Sequence, residues 1–164
     1  MKIKRIYLDM DGVLTDFEKR YVEMFGQNPL GEDRANKEKS KNWDQFVETR
    51  QFESLEWFPG GKKLLDYLQS LNIPMEILSS TGGPKYHSNV REQKYIWLND
   101  NNVWLNNENI VPGRRIKRFF SFSGHILIDD TEDVVEEFNQ YGGKAILHKS
   151  AEKTIEALET LLNK

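Results

Sequence analysis

Three short apolar runs in this chain each end on a polar pair, and that pattern restricts the fold more than any other feature of the sequence. Lys4–Asp9 (KRIYLD) runs into Asp9 and Asp11, Met75–Ser79 (MEILS) into Ser79 and Ser80, and His125–Asp129 (HILID) into Asp129 and Asp130. A fourth run, Lys144–Leu147 (KAIL), follows Gly142–Gly143, and a weaker one lies near Asn109–Val111. Short β-branched or Leu-rich runs of this kind read as parallel strands buried on both faces. Helical periodicity fills the spaces between them. Gly60–Leu71 places Leu64, Leu65, Leu68 and Leu71 on one face. Tyr86–Asn99 carries Val90, Ile96, Trp97 and Leu98; Thr131–Tyr141 carries Val134, Val135 and Phe138 and stops at Gly142; Ser150–Leu162 has Ser150 as its N-cap. Alternation of strands with helices predicts an α/β fold, a Rossmann-like parallel sheet flanked by helices.

Gln27–Trp57 breaks the alternation. It is polar and charged, with Trp43, Phe46, Phe52 and Trp57 interspersed and no strand pattern. This reads as a small helical cap inserted after the first strand. The expected division is a core of residues 1–16 and 59–164 and a cap of residues 17–58. At 164 residues the chain is one domain's worth of sequence, long enough to bury a core without staples. It has no Cys, which excludes disulfides and thiolate metal sites. The N-terminal apolar stretch is too short for a signal-peptide core, and no run is long enough to span a bilayer, so the expectation is a cytoplasmic protein without a membrane partner. A net charge of −3 gives no general reason to bind nucleic acid. The basic run Arg114, Arg115, Lys117, Arg118 is short and reads as a solvated loop.

In open α/β sheets ligands bind beyond the carboxyl ends of the strands, where this sequence puts two acidic pairs and a hydroxyl pair. Carboxylates gathered at one point repel unless a cation joins them. Mg²⁺ takes oxygen ligands and usually shares them with a substrate phosphate. Asp9 and Asp129, with the backbone carbonyl of Asp11, form a ligand set for it. A carboxylate can attack phosphorus, which suits Asp9. Asp11, past a turn begun by Gly12, can protonate the leaving oxygen and later deprotonate water. Ser79 can bond a phosphoryl oxygen, and Lys94, on the following helix, can offset negative charge. A calcium loop is excluded, because Val13 occupies a ligand position and no Glu closes the loop.

These residues resemble the motifs of the haloacid dehalogenase (HAD) superfamily of phosphatases. Asp9-Met10-Asp11-Gly12-Val13-Leu14 is similar to the first motif, Ile77-Leu78-Ser79 to the second, Lys94 to the third and Leu127-Ile128-Asp129-Asp130 to the fourth. The resemblance implies Mg²⁺, Asp9 as nucleophile, Asp11 as general acid/base, and Asp130 in support of the metal ligands. A closer likeness is to the 5′(3′)-deoxyribonucleotidases, carried by Asp9–Phe17 (DMDGVLTDF), Phe52-x-x-Leu55-Glu56-x-x-Pro59-Gly60 and Lys94-Tyr95-x-Trp97. It implies that Phe17 stacks on a nucleobase and Ser80 adds a phosphate contact. The substrate so implied is a small phosphorylated molecule, a nucleoside monophosphate. Three residues depart from the pattern: Ser79 stands where Thr is usual, Thr81 where Pro is common, and Thr131 where Arg is common. Two other readings share the residues. One is a phosphatase acting on nucleic-acid ends, held by the basic run; the other is a non-catalytic phosphate-binding module. A receiver domain has its acidic pair and phosphoacceptor in a different order.

Overall fold

In the computed structural model, which describes residues 1–29 and 37–163, five strands form one parallel sheet in the order β3-β2-β1-β4-β5. They are β1 (Arg5–Leu8), β2 (Met75–Ser80), β3 (Asn107–Val111), β4 (His125–Asp129) and β5 (Lys144–Leu147). The expected α/β architecture is the observed one. β1 is central, with Ile6 facing Met75 on one side and Ile126 on the other. Ile6, Leu8, Ile77, Ile126 and Ile128 are wholly buried, as strands covered on both faces require. The edge strand β3 starts two residues earlier than the sequence suggested, because its first residues, Asn107 and Glu108, carry no apolar signal.

Helices α1 (Phe17–Phe25) and α2 (Lys37–Glu48) follow β1; α3 (Gly61–Ser70), α4 (His87–Asp100), α5 (Glu132–Gln140) and α6 (Ala151–Leu162) fill the crossovers and the end of the chain. Leu64, Leu65 and Leu68 of α3, Val90, Trp97 and Leu98 of α4, and Ala151 and Leu158 of α6 share one core with Ile6, Leu8 and Ile77. The opposite face, built on Tyr7, Leu78 and Leu127, is covered by Val134 and Phe138 of α5 and by Ile116 and Phe120 of a 3-10 helix at Arg114–Phe120. Ser150 caps α6 as expected, its side chain accepting from Lys153 N at 3.3 Å.

The insertion is helical, and its first helix opens at Phe17, capped by Asp16. Residues 30–36 of the expected insertion lie outside the described residues. The two chains that enter and leave it pair with one another: Thr15 bridges Trp57, and Asp16 N donates to Glu56 O at 2.9 Å. Its far side is fastened to α4. Gln93, wholly buried, accepts from Phe52 N at 3.0 Å and donates to Val47 O at 2.9 Å. Trp97 Nε1 donates to Leu55 O at 2.8 Å. Phe46, Val47, Phe52 and Leu55 thereby join the core shared by α3 and α4. The insertion is thus held over the carboxyl end of the sheet by buried hydrogen bonds as well as by apolar contact.

Replacing Gln93 by Leu keeps the volume but leaves the Phe52 N–H buried without a partner and removes one of the two donors to the Val47 carbonyl, which keeps its bond from Arg50 N at 2.9 Å. The expected cost is about 2 kcal/mol, since one orphaned buried polar group costs about 1–3 kcal/mol. Urea denaturation of wild type and Gln93→Leu measures it, and a loss below about 1 kcal/mol would show that water replaces the amide.

Candidate active site

Strand order reverses between β1 and β4, and the crevice beyond a reversal point is where open α/β sheets bind ligands. Asp9 immediately follows β1 and Asp129 ends β4, so both acids stand at that point. The backbone between Asp9 and Thr15 curls tightly, with Val13 N, Leu14 N and Thr15 N all donating to Met10 O. Gly12 makes the turn possible. Its φ is +80°, and a Cβ there would lie 2.0 Å from Asp130 Oδ2, so only glycine fits between the turn and the second acidic pair.

Oxygens of Asp9, Asp129 and Asp130 lie within 4.8 Å of one another. Asp9 and Asp129 are buried. Burial pushes the Asp9 carboxyl well above its ordinary pKa, and the Asp129 charge adds to the shift. Asp130 is pushed up to about 6 by burial and by the neighbouring Asp129 and Asp11 charges. Such a cluster carries more negative charge than its surroundings neutralise, and its all-oxygen donor set fits a hard divalent cation. Asp130, expected behind the ligands, stands in the cluster itself. The Asp11 carboxylate is not one of the three; its oxygens are bonded to Lys94 and Thr15 instead.

Two buried lysines serve this end of the sheet, and they serve different acids. Lys94 Nζ donates to Asp11 Oδ2 at 3.0 Å, to Ser79 Oγ at 2.6 Å and to Ser80 O at 2.9 Å. Lys117 Nζ lies 2.7 Å from Asp129 Oδ2 and 3.1 Å from Asp9 Oδ1. Burial works against the Lys117 ammonium, but the Asp129 and Asp9 charges outweigh it and hold its pKa above the ordinary lysine value. Reading the basic run as a solvated loop therefore fails at Lys117, which is 3% exposed. The run forms a 3-10 helix whose sides differ. Arg114 turns to Asp133 at 2.9 Å and Arg118 to Glu137 at 2.8 Å, both acids on α5, while Lys117 turns inward. Its sequence signal was faint: a lysine between Ile116 and the Phe119–Phe120 pair, ahead of the β4 acids.

The cluster opens into a cleft of about 510 Å³. Asp9, Asp11, Ser80, Lys117 and Asp130 line its floor, and Phe17, Trp43 and Phe58 give it an apolar wall. Ser79 and Lys94 lie behind that lining, both essentially without solvent exposure. Ser80 Oγ accepts from Gly82 N at 3.1 Å, which leaves its hydroxyl proton free to donate. Trp43 sits directly on the β2 loop, since a Cβ on Gly82 (φ +84°) would be 2.9 Å from its ring. Phe17 has one face stacked on Phe52, at 5.5 Å between centroids and 8° between planes, with Phe46 packed edge-on at 5.0 Å. It is part of the insertion's aromatic core and part of the cleft wall at once. Among the described residues, no helix is long and apolar enough to cross a membrane.

Lys117→Met removes the cation between two buried carboxylates. Without metal this should cost about 3–5 kcal/mol, the usual penalty for leaving half of a buried ion pair. Saturating Mg²⁺ should recover part of it, because the divalent ion neutralises the same acids. Thermal unfolding of both proteins in EDTA and in Mg²⁺ provides the check; an identical deficit in both conditions would place the cation elsewhere.

The fold recurs in solved structures of low sequence identity. A hydrolase from Streptococcus pneumoniae TIGR4 superposes with a TM-score of 0.57 at 13% identity, covering 97% of this chain and 100% of its own. A HAD-superfamily hydrolase from Ehrlichia chaffeensis gives 0.57 at 14% identity, covering 99% of each chain. YfnB of Bacillus subtilis, described as a HAD-hydrolase bound to magnesium, gives 0.57 at 14% identity, covering 88% of this chain and 86% of its own. No curated protein matches the sequence significantly. The family model "5′ nucleotidase, deoxy (Pyrimidine), cytosolic type C protein" matches residues 2–160. With the HAD hydrolase fold and its cluster of strand-end aspartates in place, the chain belongs to that family.

Proposed function

We propose that the protein is a Mg²⁺-dependent phosphatase that forms an aspartyl-phosphate on Asp9 and acts on nucleoside monophosphates, as a 5′-nucleotidase or deoxyribonucleotidase does. One observation carries this reading: the cleft joins a carboxylate cluster at the strand-order reversal to an aromatic wall of Phe17 and Trp43. The cluster suits a metal-bound phosphate, and the wall suits a flat, partly apolar group attached to it. The family match and the magnesium in YfnB point the same way.

Asp9, Asp129 and the carbonyl of Asp11 would hold the ion, with Asp130 beside them. Mg²⁺ at this place supplies charge neutralisation, letting an anionic carboxylate approach an anionic phosphate. The Met10 N–H, 2.8 Å from Asp9 Oδ1, and Lys117 fix the nucleophile. An Asp9 oxygen bonds to phosphorus as the bond from phosphorus to the leaving oxygen breaks. The electron pair of that bond goes to the leaving oxygen, which takes the proton of Asp11, so that neutral alcohol departs. Water then attacks the phosphorus of the aspartyl-phosphate and gives a proton to the Asp11 carboxylate, while the bond from phosphorus to the Asp9 oxygen breaks and its electron pair returns to the Asp9 carboxylate. Free phosphate and the starting enzyme result. Ser80, with its free hydroxyl proton, and Lys117, on the cleft floor, can hold phosphoryl oxygens throughout. The arginines of the basic run are turned to Asp133 and Glu137, which leaves less free positive charge for a nucleic-acid backbone than the sequence run offered.

Asp9→Asn should abolish turnover while the fold persists, and EDTA should stop hydrolysis reversibly on addition of Mg²⁺. Appreciable turnover by folded Asp9→Asn would remove the nucleophile assignment. Substrate class is tested at Phe17. Because Phe17 also packs on Phe52, the variant of choice is Phe17→Leu, which keeps most of the volume. Stacking on a base is worth about 1–3 kcal/mol, so kcat/KM should fall about ten- to a hundredfold more for nucleoside monophosphates than for acetyl phosphate. Equal losses on both would assign Phe17 to packing alone.

A further inference from the structure

An ammonium group has three protons and no acceptor capacity. Lys94 donates all three within the protein: to Asp11 Oδ2, to Ser79 Oγ and to the carbonyl of Ser80. It is 1% exposed and lies behind the cleft lining, with its remaining side capped by the Phe52 ring, 5.3 Å from Nζ to centroid. Nothing of Lys94 is left to meet a phosphate. Lys117, by contrast, lines the cleft and touches Asp9. The charge-offsetting role first assigned to Lys94 therefore falls to Lys117, and a buried, fully bonded cation remains to be explained.

Its main partner explains it. The Asp11 carboxylate is gripped at both oxygens: Lys94 holds Oδ2 at 3.0 Å, and the Thr15 hydroxyl donates to Oδ1 at 2.9 Å. Thr15 is itself buried and belongs to the paired chains at the base of the insertion. We propose that Lys94 and Thr15 form a two-sided clamp that positions Asp11 for proton transfer to the leaving oxygen. They are positioning residues that touch neither phosphate nor metal. The proposal rests on the reading of Asp11 as proton donor. Through Ser79 and the Ser80 carbonyl, the same ammonium ties that carboxylate to the end of β2, which carries the cleft-facing Ser80. Proton donor and phosphate seat are thereby kept in one register, as a reaction limited by alignment requires.

A clamp on a proton donor has a signature that general destabilisation lacks. A leaving group that is already a stable anion needs little protonation, whereas a basic one needs much. The measurement is kcat/KM, which reports transition-state stabilisation from free enzyme and substrate, for dinitrophenyl phosphate and phenyl phosphate at saturating Mg²⁺. Wild type, Asp11→Asn, Lys94→Met and the double variant are compared after their folding is checked by circular dichroism. Asp11→Asn and Lys94→Met should each lose about 100-fold more on phenyl phosphate than on dinitrophenyl phosphate, the scale of general acid catalysis. The double variant should be no worse on phenyl phosphate than Asp11→Asn alone, since residues acting as one unit are not additive. If Lys94→Met loses equally on both substrates while Asp11→Asn keeps its bias, the clamp is overturned and the proton-donor reading stands. If Asp11→Asn itself loses equally on both, the proton-donor reading fails and the clamp goes with it. Should Lys94→Met not fold, Thr15→Val releases the other oxygen with little change in volume and must show the same bias; equal losses there overturn the clamp as well.

Discussion

Lys117 sits between two buried carboxylates, 3.1 Å from Asp9 and 2.7 Å from Asp129, and the active end of the molecule depends on that balance. Placing Asp9, Asp129 and Asp130 within 4.8 Å of one another is unfavourable, because Asp9 and Asp129 lose water and all three repel one another. One internal ammonium offsets part of that charge, and the remainder suits a divalent cation. The floor is electrostatically incomplete without its ligands, as the raised pKa values of Asp9 and Asp130 express.

The sheet makes that placement possible. Parallel pairing of β1 with β4 brings Leu8 opposite Ile128, so the residues just beyond, Asp9 and Asp129, arrive side by side. The reversal of strand order opens a crevice there, since the helices that follow β1 and β4 lie on opposite faces. Gly12 allows the turn after Asp9 to pass against Asp130. The insertion closes the space from above, fixed to α4 through Gln93 and Trp97, and supplies the aromatic wall. Burial in the core thus sets the spacing of charges in the cleft.

The two buried lysines divide the acids between them. Lys117 lines the cleft and pairs with Asp9 and Asp129; Lys94 is enclosed and shares Asp11 with Thr15. Interchanging them in thought shows why both are needed. A cation at Asp11 alone would leave Asp9 and Asp129 uncompensated, and one at Asp9 alone would leave Asp11 held only by Thr15.

The sequence by itself determined the sheet, the helices that cross it and the acids at its end. Those signals are local: apolar runs of strand length, helical spacing of leucines, an acid or hydroxyl at each run's end. Asp9, Asp11, Asp129 and Asp130 could be named because a strand fixes the direction of the residue that ends it. The polar edge strand at Asn107–Val111 was only partly legible, since an edge needs less apolar residue content than a central strand. Lys117 was not legible as a site residue. In sequence it is one of four basic residues in a short run, and a side chain's inward turn is set by what faces it: here Asp9 and Asp129, 108 and 12 residues away along the chain. Phe17 could be read as wall or as core, and the tertiary structure makes it both, because Phe52 takes one face of its ring while the cleft takes part of the rest. Which cation serves which acid was likewise decided only by folding: electrostatic partnership depends on distance in space, and sequence carries that distance only where the chain between two residues is short or stiff.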